Sequence, residues 1–128
     1  MYKEIIIIVL IVILIFGLNI ITQNYTESTA KVIQESLDEI KEDIDDKQEC
    51  KIIQEKINKL NDEWENRNNK LAYYLEHDEL EKIESELTAL NSNIIMEDYE
   101  QGRESLDRCY FLLEHVKDKE TITLSNIF

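Results

Sequence analysis

Two histidines, two cysteines and a surplus of carboxylates are the side chains through which this sequence could do chemistry. His77 and Glu81 stand one helical turn apart, so on a helix they would face one metal ion together, with His115 as a more distant third ligand. A zinc hydrolase needs His-Glu-x-x-His, and residues 77–81 read His-Asp-Glu-Leu-Glu, with no second histidine at that spacing. The simpler reading is that His77 precedes a helix cap at Asp78 and orients the turn. Asp43, Asp45, Asp46 and Glu49 form an acidic turn without the spacing or the glycine of a calcium loop. Two glycines leave no phosphate-cradling loop or dinucleotide fingerprint, and there is no Gly-x-Ser-x-Gly elbow. The 28 acids make close carboxylate pairs inevitable, and none is marked by an apolar setting that would shift its pKa. No catalytic residue, metal or cofactor is therefore expected, and the chain reads as a non-enzyme. A metal-binding enzyme or sensor using His77, Glu81 and His115 stands as the alternative.

Cys50 and Cys109 fall on the apolar stripes of two helical patterns, where cysteine behaves as a small core residue. In an extracytoplasmic domain a bridge between them would also be permitted.

The elements that carry these residues can be read from hydropathy. Residues 5–21 read IIIIVLIVILIFGLNII, a run about 26 Å long as a helix, against a hydrocarbon core of about 30 Å. Fifteen strongly apolar residues at about −0.3 to −0.6 kcal/mol each favour insertion by roughly 5–9 kcal/mol. Tyr2 and Tyr25 flank the run at the two interfaces, and Lys3 precedes it, while the first basic residue after it is Lys31. The charge bias puts the N-terminus in the cytoplasm and residues 22–128 outside. Cleavage after Ser28-Thr29-Ala30 is the competing reading, but that site lies far beyond the apolar run, so a retained single-pass anchor is expected.

Beyond the run, apolar residues recur at helical spacing in four stretches. These are Ile33, Leu37, Ile40 and Ile44; then Cys50, Ile53, Ile57, Leu60, Trp64, Leu71, Tyr74 and Leu75; then Leu80, Ile83, Leu87, Leu90 and Ile94; then Tyr99, Gly102, Leu106, Cys109 or Tyr110, Leu113 and Val116. No proline interrupts them. Capping boxes open each stretch at Asn24/Glu27, Asp46/Glu49, Asp78/Glu81 and Asp98/Gln101. His115, Lys117 and Lys119 suit the end of the fourth helix, where the dipole favours cations. Leu37-x-x-Ile40-x-x-x-Ile44 and Leu87-x-x-Leu90-x-x-x-Ile94 form a weak internal repeat, each followed by an acidic turn and then a small residue, Cys50 or Gly102.

The expected fold is all-α: a transmembrane anchor over residues 1–23, a small bundle of two αα-hairpins over 24–120, tetratricopeptide-like in shape, and an apolar tail over 121–128. A single coiled-coil stalk through residues 24–76 is the alternative. The net charge of −14 belongs to the part outside the membrane, which excludes nucleic acid as a natural partner and opposes adsorption to anionic lipid. Trp64 suits the core of the second helix. Trp64, Tyr74, Asn126, Ile127 and Phe128 are the candidate contacts for a protein partner.

The run Trp64…His77-Asp78-Glu79-Leu80-x-x-Ile83, then Leu113-Glu114-His115, then the terminal Asn126-Ile127-Phe128, resembles the domain of unknown function 4363 family of clostridial and related Firmicutes. The likeness covers nearly the whole chain, including an N-terminal anchor followed by helices. The family has no assigned activity and so implies no functional residues. Its genes often lie beside those of YetF-like integral membrane proteins, which implies an accessory role beside such a partner.

Overall fold

The computed structural model describes the backbone of residues 1–127 and the side chains of residues 1–119. Four helices and no strand make up the described residues: α1 (Tyr2–Asp45), α2 (Cys50–Leu71), α3 (His77–Ile95) and α4 (Tyr99–Ile127).

α1 is one unbroken helix of 44 residues, about 66 Å long. Nothing in it stops a helix, for it holds no proline and its single glycine, Gly17, lies inside the apolar run. The expected fresh start at Asn24/Glu27 is therefore corrected. Backbone amides there are already inside the helical ladder, so no orphan donor remains for a cap to satisfy. The same helix changes character along its length. Ile5–Ile15, Leu18, Ile20 and Ile21 lie exposed, whereas Thr26, Thr29, Ala30, Ile33, Leu37, Ile40 and Ile44 are buried. The first segment is long and apolar enough to cross a membrane.

The chain reverses at residues 46–49, so no continuous stalk forms through residues 24–76. Two turns close the far end of the bundle with the same hydrogen bonds. After α1, Asp46 N–H donates to Glu42 O, Lys47 N–H to Ile44 O and Gln48 N–H to Asp43 O. After α3, Met96 N–H donates to Ser92 O, Glu97 N–H to Ile94 O and Asp98 N–H to Asn93 O. Both are Schellman-type endings that satisfy the last carbonyls of a helix. The internal repeat of the sequence is thus a repeated stop signal as well as a repeated stripe.

Caps are fewer than the sequence suggests. α2 and α3 start from Glu49 and Glu76 without a side-chain cap bond, which corrects the boxes at Asp46/Glu49 and Asp78/Glu81. Asp78 and Glu79 sit instead in the first turn of α3, where the dipole favours acids. At α4 the expected cap forms: Gln101 N–H donates to Asp98 Oδ1 at 3.2 Å.

α1 packs on α2 and α4, and α3 packs on the same two, while the diagonal pairs stay apart. The result is a closed up-down-up-down bundle. Its centre is filled by Ile33, Leu37 and Ile40 of α1, Ile53, Ile57 and Leu60 of α2, Ile83, Leu87 and Leu90 of α3, and Leu106 and Leu113 of α4. Each of these stabilises the fold by about 1.5–3 kcal/mol through apolar burial. At the α3–α4 turn Gly102 lies directly against the side chain of Ile94. A Cβ on Gly102 would meet Ile94 Cδ1 at 2.9 Å.

Among the described residues charged pairs span the α1–α2, α1–α4 and α3–α4 seams: Lys56 with Glu39 and Asp43, Lys41 with Asp107, Arg103 with Asp45, and Arg108 with Glu86. Exposed pairs contribute at most about 1 kcal/mol each, so they tune register more than stability.

α4 runs on to Ile127, past the point where the sequence leaves its helical pattern. No proline or glycine comes after Gly102, so nothing stops the ladder. His115, Lys117 and Lys119 accordingly lie within α4 rather than at its end. The side chains of Asn126 and Ile127, and Phe128 altogether, lie outside the described residues.

Candidate partner-binding surface

The chemistry-bearing residues are dispersed by the fold. His77 Nε2 lies 2.9 Å from Glu81 Oε1, and both side chains are well exposed, one turn apart at the start of α3. Among the described residues no three His, Cys, Asp or Glu side chains converge on a point that would hold a metal ion, so His115 does not join them. The cysteines are not bridged. Cys109 is buried in the core, and burial, reinforced by the charge of Glu86, pushes its thiol up to about 12. Cys50 is half-buried at the far end and donates its S–H to Ile94 O at 3.2 Å.

Trp64 is only 3 % exposed and belongs to the core, as its place on the α2 stripe implies. Its Nε1–H and Asn68 Oδ1, one turn on, are buried without a hydrogen-bond partner among the described residues. Both residues line a polar cleft at the α2–α3 seam, with Asn61, Asn69, Glu84 and Thr88.

Tyr74 is half-buried and engaged internally. Its Oη lies 2.8 Å from Thr26 Oγ1 and donates to Thr22 O at 3.1 Å. Thr26 in turn donates from Oγ1 to Thr22 O at 2.9 Å. The α2–α3 turn is thereby clasped to α1 one residue beyond the apolar run. Around it, Arg67 and Lys70 stand 5.7 Å from the centre of the Tyr25 ring, and Arg67 also reaches Thr29 Oγ1 and Glu63. Lys119 of α4 bonds Glu79 and Glu76 at 3.0 and 3.3 Å, and these two carboxylates raise its pKa above the usual lysine value. Gln34 ties α1 to α4 by donating to Glu114 Oε2 at 2.9 Å.

A concave surface lies between α3 and α4. It is a groove of about 750 Å³ lined by Ser85, Phe111 and Leu112 together with the acids Asp78, Glu81, Glu86 and Asp107 and the cations Lys82 and Arg108. Phe111 is 70 % exposed in this groove. Sequence reasoning passed over Phe111 because it falls off the α4 stripe of Leu106, Cys109, Leu113 and Val116. That displacement was the available signal: a large aromatic on the polar face of an otherwise regular helix.

The model of the family described as Domain of unknown function, DUF4363, matches residues 20–127. The chain belongs to the DUF4363 family. The match begins at the last residues of the apolar run and takes in the whole bundle. No curated protein and no solved structure matches the chain.

Proposed function

We propose that this DUF4363 protein is a non-enzymatic, single-pass membrane-anchored interaction module. Its N-terminus is cytoplasmic, its bundle is extracytoplasmic, and it serves as an accessory subunit of an integral membrane protein, of the YetF-like kind that the family resemblance implies. The observation that carries this reading is α1, which is at once the candidate span and one wall of the bundle. A bundle held on an unbroken helix is presented at fixed height and orientation, which lowers the ordering cost of binding a neighbour in the same membrane. The charge bias around the span supports the orientation.

The contact surface we assign is the α3–α4 groove. An exposed aromatic among charged side chains has the composition of an interface anchor. Trp64 and Tyr74 are occupied by the bundle itself, Trp64 in the core and Tyr74 against α1. The apolar end Asn126–Phe128 is assigned as a second contact by its sequence.

Purification of the full-length protein in mild detergent tests this. Wild type is expected to bring down an integral membrane protein at stoichiometric yield, and Phe111→Glu to lose it while remaining folded. Recovery of the wild-type protein alone at full mass would reject the accessory role. Equal capture by Phe111→Glu would reject the groove.

A further inference from the structure

The turn between α2 and α3 stands at one height with the end of the apolar run. Tyr74 Oη donates to the carbonyl of Thr22, the residue immediately after Ile21. Two residues of α1 above it, at Tyr25 and Thr26, meet Lys70 and Tyr74 in the same layer. No break in α1 separates these residues from the run, so the bundle has no linker by which to stand away from a bilayer that holds it. Beside Tyr74 is Tyr73, whose side chain is 89 % exposed. An aromatic ring so placed has no fold-internal reason to be there, and tyrosine is the residue enriched where acyl chains give way to headgroups.

We propose that the α2–α3 turn is seated in the membrane interface, with Tyr73 as its aromatic anchor in the headgroup layer of the bilayer that α1 spans. The proposal rests on the reading of α1 as a membrane anchor. Charge distribution agrees with it. The band nearest the run, residues 22–31, 67–79 and 114–119, carries five Lys and Arg against six Asp and Glu. The remaining bundle, residues 32–66 and 80–113, carries eight against twenty. The acidity that would repel anionic lipid is therefore displaced toward the far end, more than a Debye length of roughly 8 Å away for most of it. Arg67 and Lys70, gathered at the Tyr25 ring, lie where lipid phosphates would be. Tyr25 then belongs to the same aromatic belt as Tyr73, held in place by its cations.

The test is fluorescence quenching of full-length protein reconstituted into phosphatidylcholine vesicles whose acyl chains are brominated either near the glycerol or near the bilayer centre. Tyr73→Trp, Leu14→Trp and Phe111→Trp are compared with wild type, whose single Trp64 is buried and supplies the background. Phe111 is about 12 Å up α4 from Lys119 and serves as the remote probe. Tyr73→Trp is expected to emit to the blue of Phe111→Trp and to lose intensity to the shallow bromines more than to the deep ones. Leu14→Trp is expected to lose most to the deep ones. If Leu14→Trp is quenched while Tyr73→Trp is no more affected than Phe111→Trp, the seating of the turn is overturned and the anchor stands. If Leu14→Trp is not quenched at all, the anchor itself fails and the seating falls with it.

Discussion

Lys47 and Glu97 hold the same left-handed backbone conformation, with φ of 57° and 59°, at matching positions of the two turns that end α1 and α3. Each is the first residue beyond the helix cap within a Schellman-type ending, where glycine is the usual occupant because it has no Cβ to strain. An L-residue in this region is strained by about 1–2 kcal/mol. Lys47→Gly and Glu97→Gly should each raise stability by about 0.5–1 kcal/mol after the extra freedom of the unfolded chain is allowed for. A denaturant midpoint that falls in either variant would show that the native side chain makes a compensating contact.

The Tyr74–Thr26–Thr22 clasp should be worth a typical hydrogen bond. Tyr74→Phe keeps the ring and removes the hydroxyl, so a loss of about 0.5–1.5 kcal/mol is expected. Thr26 keeps its own bond to Thr22 O, which limits the damage. Hydrogen exchange should locate the effect, with faster exchange in residues 72–76 and unchanged exchange at the far turns around Lys47 and Glu97.

Alkali should unfold this protein through groups held protonated by the fold. The Cys109 thiol is pushed up to about 12, so the folded state keeps its proton while the unfolded chain loses it above the ordinary thiol value of about 8.5. The contribution is complete below that ordinary value and is lost progressively as pH rises toward the folded one. At full effect one such proton changes stability by about 1.4 kcal/mol per pH unit. Lys56, raised by its bonds to Asp43 and Glu39, acts in the same direction at the upper end of the range. Urea unfolding of the full-length protein between neutral and about pH 11 should show a falling stability, with a shallower fall in Cys109→Ala.

The same burial governs reactivity. At pH 8 only on the order of one in ten thousand Cys109 side chains is a thiolate, and none is accessible to reagent. A thiol reagent should modify Cys50 alone in the native protein and both cysteines once it is denatured. Two fast-reacting thiols in the native state would place Cys109 outside the core.

Gly102 separates close approach from helix propensity. Alanine gains about 1 kcal/mol in helix propensity but brings a Cβ to within 2.9 Å of Ile94 Cδ1, the end of a side chain that can yield a little. Gly102→Ala should therefore be nearly neutral. Gly102→Leu overpacks the same turn and should lose about 1–3 kcal/mol, measured by denaturant midpoint.

The amino-acid sequence determined the helices, the apolar run and the inward face of each helix, because helical spacing of Ile and Leu is a local property that packing then obeyed. Every residue of the α3 stripe, Leu80, Ile83, Leu87, Leu90 and Ile94, is buried as its spacing requires. Helix ends were less legible. In an acidic chain the letters of a capping box recur at places such as Asn24, inside α1, and Asp46, at its C-terminal end, and among the described residues only Asp98 of the four expected caps is matched by a bond. The tertiary structure alone decided three things. Closure of the two hairpins into a ring, with α1 against α4, joins residues such as Gln34 and Glu114 that no local pattern relates. Exposure of Phe111 and Tyr73 depended on which faces the neighbouring helices covered. The continuity of α1 through Asn24 set the bundle directly against the apolar run, because a helix stops where its backbone bonds end and not where its composition changes.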